Sequence, residues 1–133
     1  MTLFQTLFSF KGRINRKKWW LARLLLIGIM VGVFFVLGVL SSLLVSPFFG
    51  DGGVISDTGG MGLMETLIIC SIITYFIAGL AINAKRWHDR DRSAWWILIE
   101  FIPVLNIWAF VELGFLKGTY GRNRFGSDPL ERS

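Results

Sequence analysis

The feature that most constrains this chain is a set of long apolar stretches. Leu24 to Val45 runs for 22 residues without a charged side chain, and as an α-helix it would be about 33 Å long. Thr66 to Ala84 adds 19 uncharged residues, or about 28 Å of helix. Because the hydrocarbon core of a bilayer is about 30 Å thick, both stretches predict transmembrane helices. The first is too long for the apolar region of a signal peptide, and no small-residue cleavage site follows it.

The composition supports a membrane protein and excludes several other classes. Of the 133 residues, 53% are hydrophobic and 17% are charged, whereas soluble domains are about 25% charged. The single cysteine, Cys70, excludes an intramolecular disulfide. One histidine and one cysteine are too few for a zinc site built from those ligands. We therefore expect no soluble enzyme fold, no metal and no cofactor.

The positive charges predict the orientation in the membrane. The fourteen Lys and Arg residues fall into three blocks, in the ranges 11–23, 85–92 and 117–132, and the connection from Pro47 to Gly62 has none. Because cytoplasmic loops carry the excess of Lys and Arg, we expect the N-terminus in the cytoplasm and the glycine-rich connection outside. The same bias accounts for the net charge of +5, so nucleic acid is not needed as a partner.

The third apolar stretch, Ala94 to Leu116, is compatible with two topologies. It is 23 residues long but contains a proline, an asparagine and two glutamates. A hairpin that turns at Pro103–Asn106 would return the basic tail to the cytoplasm, and each leg would reach only to the middle of the bilayer. Pro103 favours this break because proline disfavours helix in the residue before it. The alternative is a third transmembrane helix kinked at Pro103, which membrane helices tolerate.

These observations divide the chain, taken as one integral-membrane domain, into seven segments. They are an interfacial basic N-terminus (1–18), a first transmembrane helix (19–45), an external glycine-rich loop (46–63), a second transmembrane helix (64–84), a cytoplasmic basic loop (85–93), a membrane hairpin (94–116) and a cytoplasmic tail (117–133). The predicted fold class is an all-α membrane protein with two transmembrane helices plus a C-terminal short-helix, re-entrant hairpin.

The hairpin interpretation also bears on assembly. Non-helical backbone at mid-bilayer depth must be shielded by protein, so the hairpin favours either close packing within one subunit or a homo-oligomer. Gly28 and Gly32 form a G-x-x-x-G pattern, which lets two helices approach closely. The pattern suits packing within the chain as well as self-association.

Three motifs stand out along the chain. Gly12 to Trp20 reads GRINRKKWW, Arg86 to Trp96 reads RWHDRDRSAWW, and Gly118 to Pro129 reads GTYGRNRFGSDP. In order and spacing they resemble the motifs of the DUF805 family of small bacterial inner-membrane proteins, which are GRI-S/N-R-x-x-W-W, R-L-H-D-x-G-K-S-G-W-W and G-x-N-R-F/Y-G-x-D-P. The resemblance implies a multi-pass protein of the bacterial inner (plasma) membrane whose function is uncharacterised.

The middle motif departs from the family pattern at three positions. Trp87 stands in place of leucine, and Asp91 and Ala94 stand in place of glycines. Glycine is the residue that most readily adopts positive φ, so a backbone conformation with positive φ is less favourable in this turn than in the family pattern.

If the tail is cytoplasmic, the three motifs share one face of the membrane. Ser93 would cap a helix that begins at Ala94, and helix N-termini and arginine forks both favour phosphate. The inner leaflet is rich in anionic headgroups, so we predict that this face binds anionic lipid or a partner protein. The candidate residues are Arg13, Arg16, Arg86, Arg90, Arg92, Ser93, Arg122 and Arg124. The simpler interpretation is that the arginines follow the positive-inside rule and pair with Asp89, Asp91 and Asp128.

A second group of candidates consists of polar side chains within the apolar stretches, which are costly to bury. They are Arg23, Asn83, Glu100, Asn106 and Glu112. We expect Arg23 to pair with Glu112 and so to lock the first span to the second leg of the hairpin. Glu100 would be neutralised, hydrogen-bonded to Asn83 or Asn106, or exposed to a polar cavity. Glu100 with Asn106 is therefore the candidate for a transport path.

A catalytic interpretation rests on His88, Asp89 and Asp91, because two carboxylates could hold Mg²⁺ against a substrate phosphate. Adjacent residues on a helix do not face each other, so we assign no catalytic residue and no metal ligand. The function we predict is a non-enzymatic inner-membrane module whose basic cytoplasmic face binds anionic lipid headgroups or a partner protein. A small ion or solute transporter is the alternative, and a phosphate-handling lipid enzyme is the third possibility.

Overall fold

The computed structural model describes residues 3–45 and 59–130 of the chain. These residues form helices α1 (Leu3–Phe8), α2 (Arg16–Val45), α3 (Gly59–Asp89) and α4 (Pro103–Gly114), with a 3₁₀ helix at Ala94–Phe101 between α3 and α4. Apart from one isolated β-bridge, the described residues contain no β-structure. The predicted all-α fold class is confirmed.

Helices α2 and α3 are each long and apolar enough to cross a membrane. Mean hydropathy reaches 2.8 within Arg16–Leu43 and 2.1 within Gly62–Asp89. Helix α2 has 30 residues and helix α3 has 31, so each is about 45 Å long and exceeds the hydrocarbon core. Both helices extend beyond the predicted spans 19–45 and 64–84. Most of the predicted external loop, residues 46–58, lies outside the described part of the chain.

One of the two compact units of the chain is Ile27–Phe76, which contains the glycine-loop ends of α2 and α3. No side chain that the structure describes in this unit is buried, and large apolar groups such as Phe35 and Leu43 are exposed. A Cβ added at Gly28 or Gly32 would meet no atom within 4 Å. Helices that are apolar all round and not covered by protein are typical of a surface that faces lipid.

The other unit contains residues 1–26 and 77–133, and with them all three motifs. Its core includes the fully buried side chains of Trp19, Trp87 and Ile82. Nine consecutive residues, Ala81–Asp89, are buried, so the end of α3 is covered on every side. The predicted basic loop 85–93 therefore begins inside a helix, because the charges of residues 85–89 find partners within the protein.

Residues 94–116 fold back on themselves, as the hairpin interpretation predicted and a single kinked span would not. The 3₁₀ helix and α4 contact each other, and Glu112 near the end of α4 lies 2.6 Å from Arg90, just before the 3₁₀ helix. The bend falls at Ile102, whose backbone is extended, and not within 103–106. The reason is that Pro103 begins α4, a position where its fixed φ and missing N–H are favourable.

Candidate functional site

The first motif forms the turn that precedes α2 and directs an arginine into the protein. Gly12 has φ +93°, which L-residues with a side chain rarely adopt, and Arg13 and Ile14 after it are both buried. Asn15 caps α2, since its side-chain oxygen accepts a hydrogen bond of 2.9 Å from the amide of Lys18.

Asp89, the last residue of α3, is the centre of a buried charge network. The Nε and Nη2 atoms of Arg13 donate to Asp89 Oδ1 at 3.1 and 3.0 Å, and Arg86 Nη1 donates to Asp89 Oδ2. None of the three side chains is more than 5% exposed. We define Arg13, Arg86 and Asp89 as the buried triad. Removing one partner of such a group leaves an uncompensated buried charge, which is strongly destabilising.

The remaining donors of both arginines are taken by backbone carbonyls. Arg13 donates to the carbonyls of Thr119 and Gly121, both at 2.7 Å. Arg86 Nε donates to the carbonyl of Leu113 at 2.7 Å. Every nitrogen of the two guanidinium groups therefore has a partner within the chain. These two predicted anion-site residues join the N-terminal segment, α3, α4 and the tail.

The third motif begins with a close contact between the tail and Asp89. The amide and the hydroxyl of Thr119 both donate to the Asp89 carbonyl, at 2.8 and 3.1 Å. A Cβ built on Gly118 would overlap the Asp89 carboxylate and lie 2.9 Å from that carbonyl oxygen. The tail approaches this closely only because residue 118 is glycine.

A tight turn in the tail then covers His88. Asn123 and Gly126 exchange backbone hydrogen bonds of 3.0 and 3.1 Å, and the Asn123 side chain donates to the His88 carbonyl at 2.9 Å. The Phe125 ring stacks on the imidazole with the centroids 4.0 Å apart. His88 Nδ1 lies 3.3 Å from the carbonyl oxygen of Gly12. The first and third motifs thus enclose His88 of the middle motif.

Asp128 stabilises the end of the same turn. Its carboxylate accepts hydrogen bonds from the amides of Leu130, at 2.9 Å, and Gly121, at 3.2 Å. These bonds lower the pKa of the Asp128 carboxyl below its usual value, because they favour the ionised form.

Asp91 ends α3 in a Schellman turn. Its φ is +56°, and the amides of Asp91 and Arg92 donate to the carbonyls of His88 and Trp87 at 3.0 and 2.9 Å, which is the pattern of this motif. The left-handed turn is therefore kept even though aspartate stands where the family pattern has glycine. Aspartate tolerates this conformation better than most residues do.

The three residues of the catalytic interpretation do not share an open site. His88 is stacked against Phe125, Asp89 belongs to the buried triad, and Asp91 lies 3.3 Å from Arg124. Among the residues that the structure describes, no three His, Cys, Asp or Glu side chains are grouped so that they could hold a metal ion.

The expected ion pair between Arg23 and Glu112 is wrong. Glu112 pairs with Arg90 at 2.6 Å, because the contacts of Arg86 with the end of α4 bring Glu112 to the end of α3. The Arg23 guanidinium lies over the Trp19 ring, 5.0 Å from its centroid.

Glu100 fastens the 3₁₀ helix to α3. Its carboxylate accepts hydrogen bonds from Asn83 Nδ2 at 2.6 Å and from Trp87 Nε1 at 3.0 Å, and Trp19 Nε1 donates to Asn83 Oδ1 at 3.0 Å. Of the alternatives predicted for Glu100, the hydrogen bond to Asn83 is the one present in the structure. Asn106 donates to the backbone carbonyl of Glu100 at 2.6 Å and not to its carboxylate.

Three further predicted anion-site residues lie around the start of the 3₁₀ helix. The Arg92 guanidinium lies over the Trp96 ring, 4.0 Å from its centroid. Arg124 pairs with Asp91. Ser93 occupies the N-cap position, as expected, but its side chain makes no capping hydrogen bond.

The positive charges that stay free are mostly lysines. In the described part of the chain, five exposed basic side chains have neither a hydrogen bond nor an ion pair, and we call them the unpaired basic set: Lys11, Lys17, Lys18, Lys117 and Arg122. Only Arg122 was among the predicted site residues. The sequence contains a signal for two of the lysines, since Lys18 and Lys117 flank apolar stretches.

A basic cleft lies between the start of α2 and the tail. Its volume is about 320 Å³, and its lining includes the cationic side chains of Arg16, Lys17 and Lys117. Arg16 is exposed and donates to the Phe115 carbonyl at 2.9 Å. Of the eight predicted anion-site residues, Arg16 alone contributes to the lining of this cleft.

Comparison with known proteins identifies the family. A sequence model described as "Protein of unknown function (DUF805)" matches residues 7–127. Inner membrane protein YhaH of Escherichia coli K12 is 34% identical over 91% of this chain and 87% of its own length. Inner membrane protein YhaI of the same strain is 28% identical over 97% and 92%. Uncharacterized protein YiiR is 30% identical over 96% and 90%.

No solved structure matches the chain. The matched range 7–127 contains the first two motifs and most of the third, which are the residues that form the buried triad and the turn over His88. The names of YhaH and YhaI place those relatives in the inner membrane. On the family match and these relatives, the chain belongs to the DUF805 family of proteins of unknown function.

Proposed function

We propose that this protein is a non-enzymatic module of the bacterial inner membrane whose basic face binds anionic lipid headgroups. The observation that carries the proposal is how the positive charges are distributed in the described structure. Arg13, Arg86 and Arg90 are paired with carboxylates inside the protein. The unpaired basic set, in contrast, is exposed and has no partner within the described residues. Charges of the second kind are free to attract an anionic surface.

The positions of these charges support a membrane surface as the partner. Lys17 and Lys18 lie one turn before Leu21, which is 66% exposed on α2. Lys117 follows Phe115 and Leu116 at the end of the hairpin, and both of these are exposed. The free lysines therefore lie where an apolar surface changes to a polar one. In a membrane, headgroups occupy that boundary.

The orientation that we propose places this face in the cytoplasm. Contacts between Arg13 and Thr119 hold the N-terminal segment against the tail, which supports both segments lying on one side of the bilayer. Because that side carries all of the basic blocks, the positive-inside rule favours the cytoplasm. The inner leaflet would then present its anionic lipids to the unpaired basic set.

The alternatives have less support from the described residues. The Glu100 carboxylate is engaged by Asn83 and Trp87, which is a structural role and not an open transport site. His88 and Asp89 are enclosed by the tail, which disfavours a lipid enzyme there. Self-association stays a proposal.

The test is lipid sorting around the purified protein. We would place it in nanodiscs of equal phosphatidylglycerol and phosphatidylcholine and measure the lipids that remain bound on release by native mass spectrometry. We expect phosphatidylglycerol to be enriched, less so at high salt, and the enrichment to disappear when all five residues of the unpaired basic set become glutamine. Replacing the four lysines by arginine keeps the charge and should keep the enrichment. Equal sorting by the wild type and the glutamine variant would contradict the proposal.

A further inference from the structure

We propose that the basic cleft is a discrete site for one phosphate group, supplied by an anionic glycerophospholipid. This inference rests on the proposed function and narrows it from a charged face to a single site. The cleft of about 320 Å³ is at the small end of ligand sites, a size that suits a phosphate with its glycerol and not a larger organic cofactor.

The cleft combines charges from two separate parts of the chain. Arg16 and Lys17 belong to the start of α2, and Lys117 belongs to the segment that follows α4. The hydrogen bond from Arg16 to the Phe115 carbonyl, 2.9 Å long, ties these two parts together. A site whose walls are already joined loses less entropy when a ligand binds. Charged donors of this kind form the strongest hydrogen bonds to phosphate.

The carboxylates in the lining do not cancel this positive charge. Asp89 lies at the cleft, but Arg13 and Arg86 both contact it from within the protein, so its negative charge is balanced there. Asp128 also lines the cleft and is ionised, because two backbone amides donate to its carboxylate, so it offsets one of the three positive charges in the lining. An anion in the cleft would therefore meet three side-chain cations and one ionised carboxylate, Asp128, so the lining keeps a net positive charge.

The depth of the cleft favours a lipid as the source of the phosphate. Lys17 is four residues from the exposed Leu21, or about 6 Å along the helix. Lys117 directly follows the exposed Leu116. A phosphate held by these lysines would lie at headgroup depth, and its acyl chains would reach the apolar surface of α2. A choline headgroup would bring a further positive charge to a cleft that already has three cations. We therefore expect an anionic lipid such as phosphatidylglycerol to bind in preference.

The experiment compares two pairs of substitutions that remove the same charge. Lys17→Gln with Lys117→Gln removes two cations of the cleft, whereas Lys11→Gln with Arg122→Gln removes two exposed cations that do not line it. Each protein is placed in nanodiscs of phosphatidylglycerol and phosphatidylcholine, and the singly lipid-bound species is counted by native mass spectrometry. A third pair, Lys17→Arg with Lys117→Arg, keeps the charge of the cleft.

We expect the wild type and the arginine pair to retain one phosphatidylglycerol. The control pair should weaken the general enrichment of phosphatidylglycerol, because Lys11 and Arg122 belong to the unpaired basic set, but it should retain the single bound lipid, since neither residue lines the cleft. The cleft pair should retain it with roughly tenfold lower occupancy, since each lysine near an anionic surface contributes measurably to binding. In a second arm, 10 mM inorganic phosphate, on the order of the concentration needed to compete with a weak anion site, is added to the same discs. Lipid that stays bound supports a headgroup site, and lipid that is displaced shows a site for free phosphate and overturns the assignment to lipid.

The remaining outcomes separate this inference from the proposed function. If both glutamine pairs lower the occupancy of the single bound phosphatidylglycerol equally, the cleft is not a discrete site, and the broader lipid-binding face stands. If the wild type retains phosphatidylglycerol no better than phosphatidylcholine, both proposals fail. Thermal unfolding of each variant shows whether a loss of binding reflects a loss of fold. Binding by the arginine pair would show that substitution at positions 17 and 117 does not by itself disrupt the site.

Discussion

The arginines of this chain show that residue type alone does not reveal whether a charge is paired inside the protein or exposed. Arg13 and Arg86 are buried and share Asp89, whereas Arg122 is exposed and unpaired within the described residues. All three lie in motifs of the family. A buried guanidinium is stable only when its charge and its donors are matched. Here Asp89 balances the charge, and backbone carbonyls from the tail and α4 accept hydrogen bonds from the donors that Asp89 does not engage.

We expect the Asp89→Asn substitution to destabilise the protein strongly. It keeps the shape of the side chain but removes the negative charge that two buried arginines share. Breaking a buried ion pair in this way costs about 3–5 kcal/mol. The free energy of unfolding in detergent, from a denaturant titration, measures the effect.

Asp128→Asn is the matched control for this substitution. Its carboxylate accepts two amide hydrogen bonds but has no buried arginine partner, so the cost should be about 1 kcal/mol. Equal losses at the two positions would show that the buried triad does not depend on the charge of Asp89.

At the scale of elements, the end of α3 organises the unit that contains residues 1–26 and 77–133. Lys85 is fully buried, and its ammonium donates to the carbonyls of Gln5 and Thr6 at 2.5 and 2.6 Å. A six-residue helix such as α1 is not stable alone, and a cation at its last carbonyls favours it. Helix α3 therefore holds α1, α4 and the tail through Lys85, Arg86 and Asp89, which lie within about one and a half turns of the helix.

The Schellman turn of α3 leads to a prediction for Asp91. Both Asp91→Gly and Asp91→Ala remove the exposed ion pair with Arg124, so the difference between them isolates the backbone conformation. Because φ is +56° at this position, we expect the glycine variant to be more stable than the alanine variant by about 1 kcal/mol. Thermal unfolding in detergent measures the difference. An alanine variant as stable as the glycine variant would mean that the turn is not left-handed in solution.

At the scale of the whole molecule, contacts between distant parts of the sequence support the topology that we propose. Arg13 and Thr119 are 106 positions apart in the sequence, yet they share a hydrogen bond of 2.7 Å. Such a contact cannot form across a bilayer. The segments that contain these residues must therefore lie on the same side of the membrane for the described fold to exist there.

We therefore expect both termini on one side of the membrane, and the positive-inside rule favours the cytoplasm. Fused to the C-terminus, a fluorescent protein that folds only in the cytoplasm should be active, and a phosphatase that is active only in the periplasm should be silent. The same reporters inserted in the range 46–63 should give the opposite result and serve as the control. A C-terminal fusion active in the periplasm would contradict the proposed cytoplasmic face, and together with a cytoplasmic N-terminus it would also contradict the contact between Arg13 and Thr119.

The sequence alone was sufficient for the features that depend on local averages. The apolar windows, their lengths and the break at Pro103 predict α2, α3 and the hairpin because burial in lipid depends on about 20 consecutive residues. The three motifs were also sufficient to identify the family. Helix ends were less well predicted. The charges of Arg86 and Asp89 predicted a loop, whereas both residues belong to α3 because their charges are paired inside the protein.

Only the tertiary structure decided which charges are structural and which are free. Arg13 and Asp89 lie 76 positions apart, and no local pattern distinguishes an arginine that will be buried beside a carboxylate from one that will face water. The pairing of Glu112 with Arg90 instead of Arg23 depends on how α4 returns to α3. Hydropathy is a property of a segment, whereas an ion pair is a property of two positions in space. For that reason the membrane spans could be read along the chain, and the basic cleft could be found only in the fold.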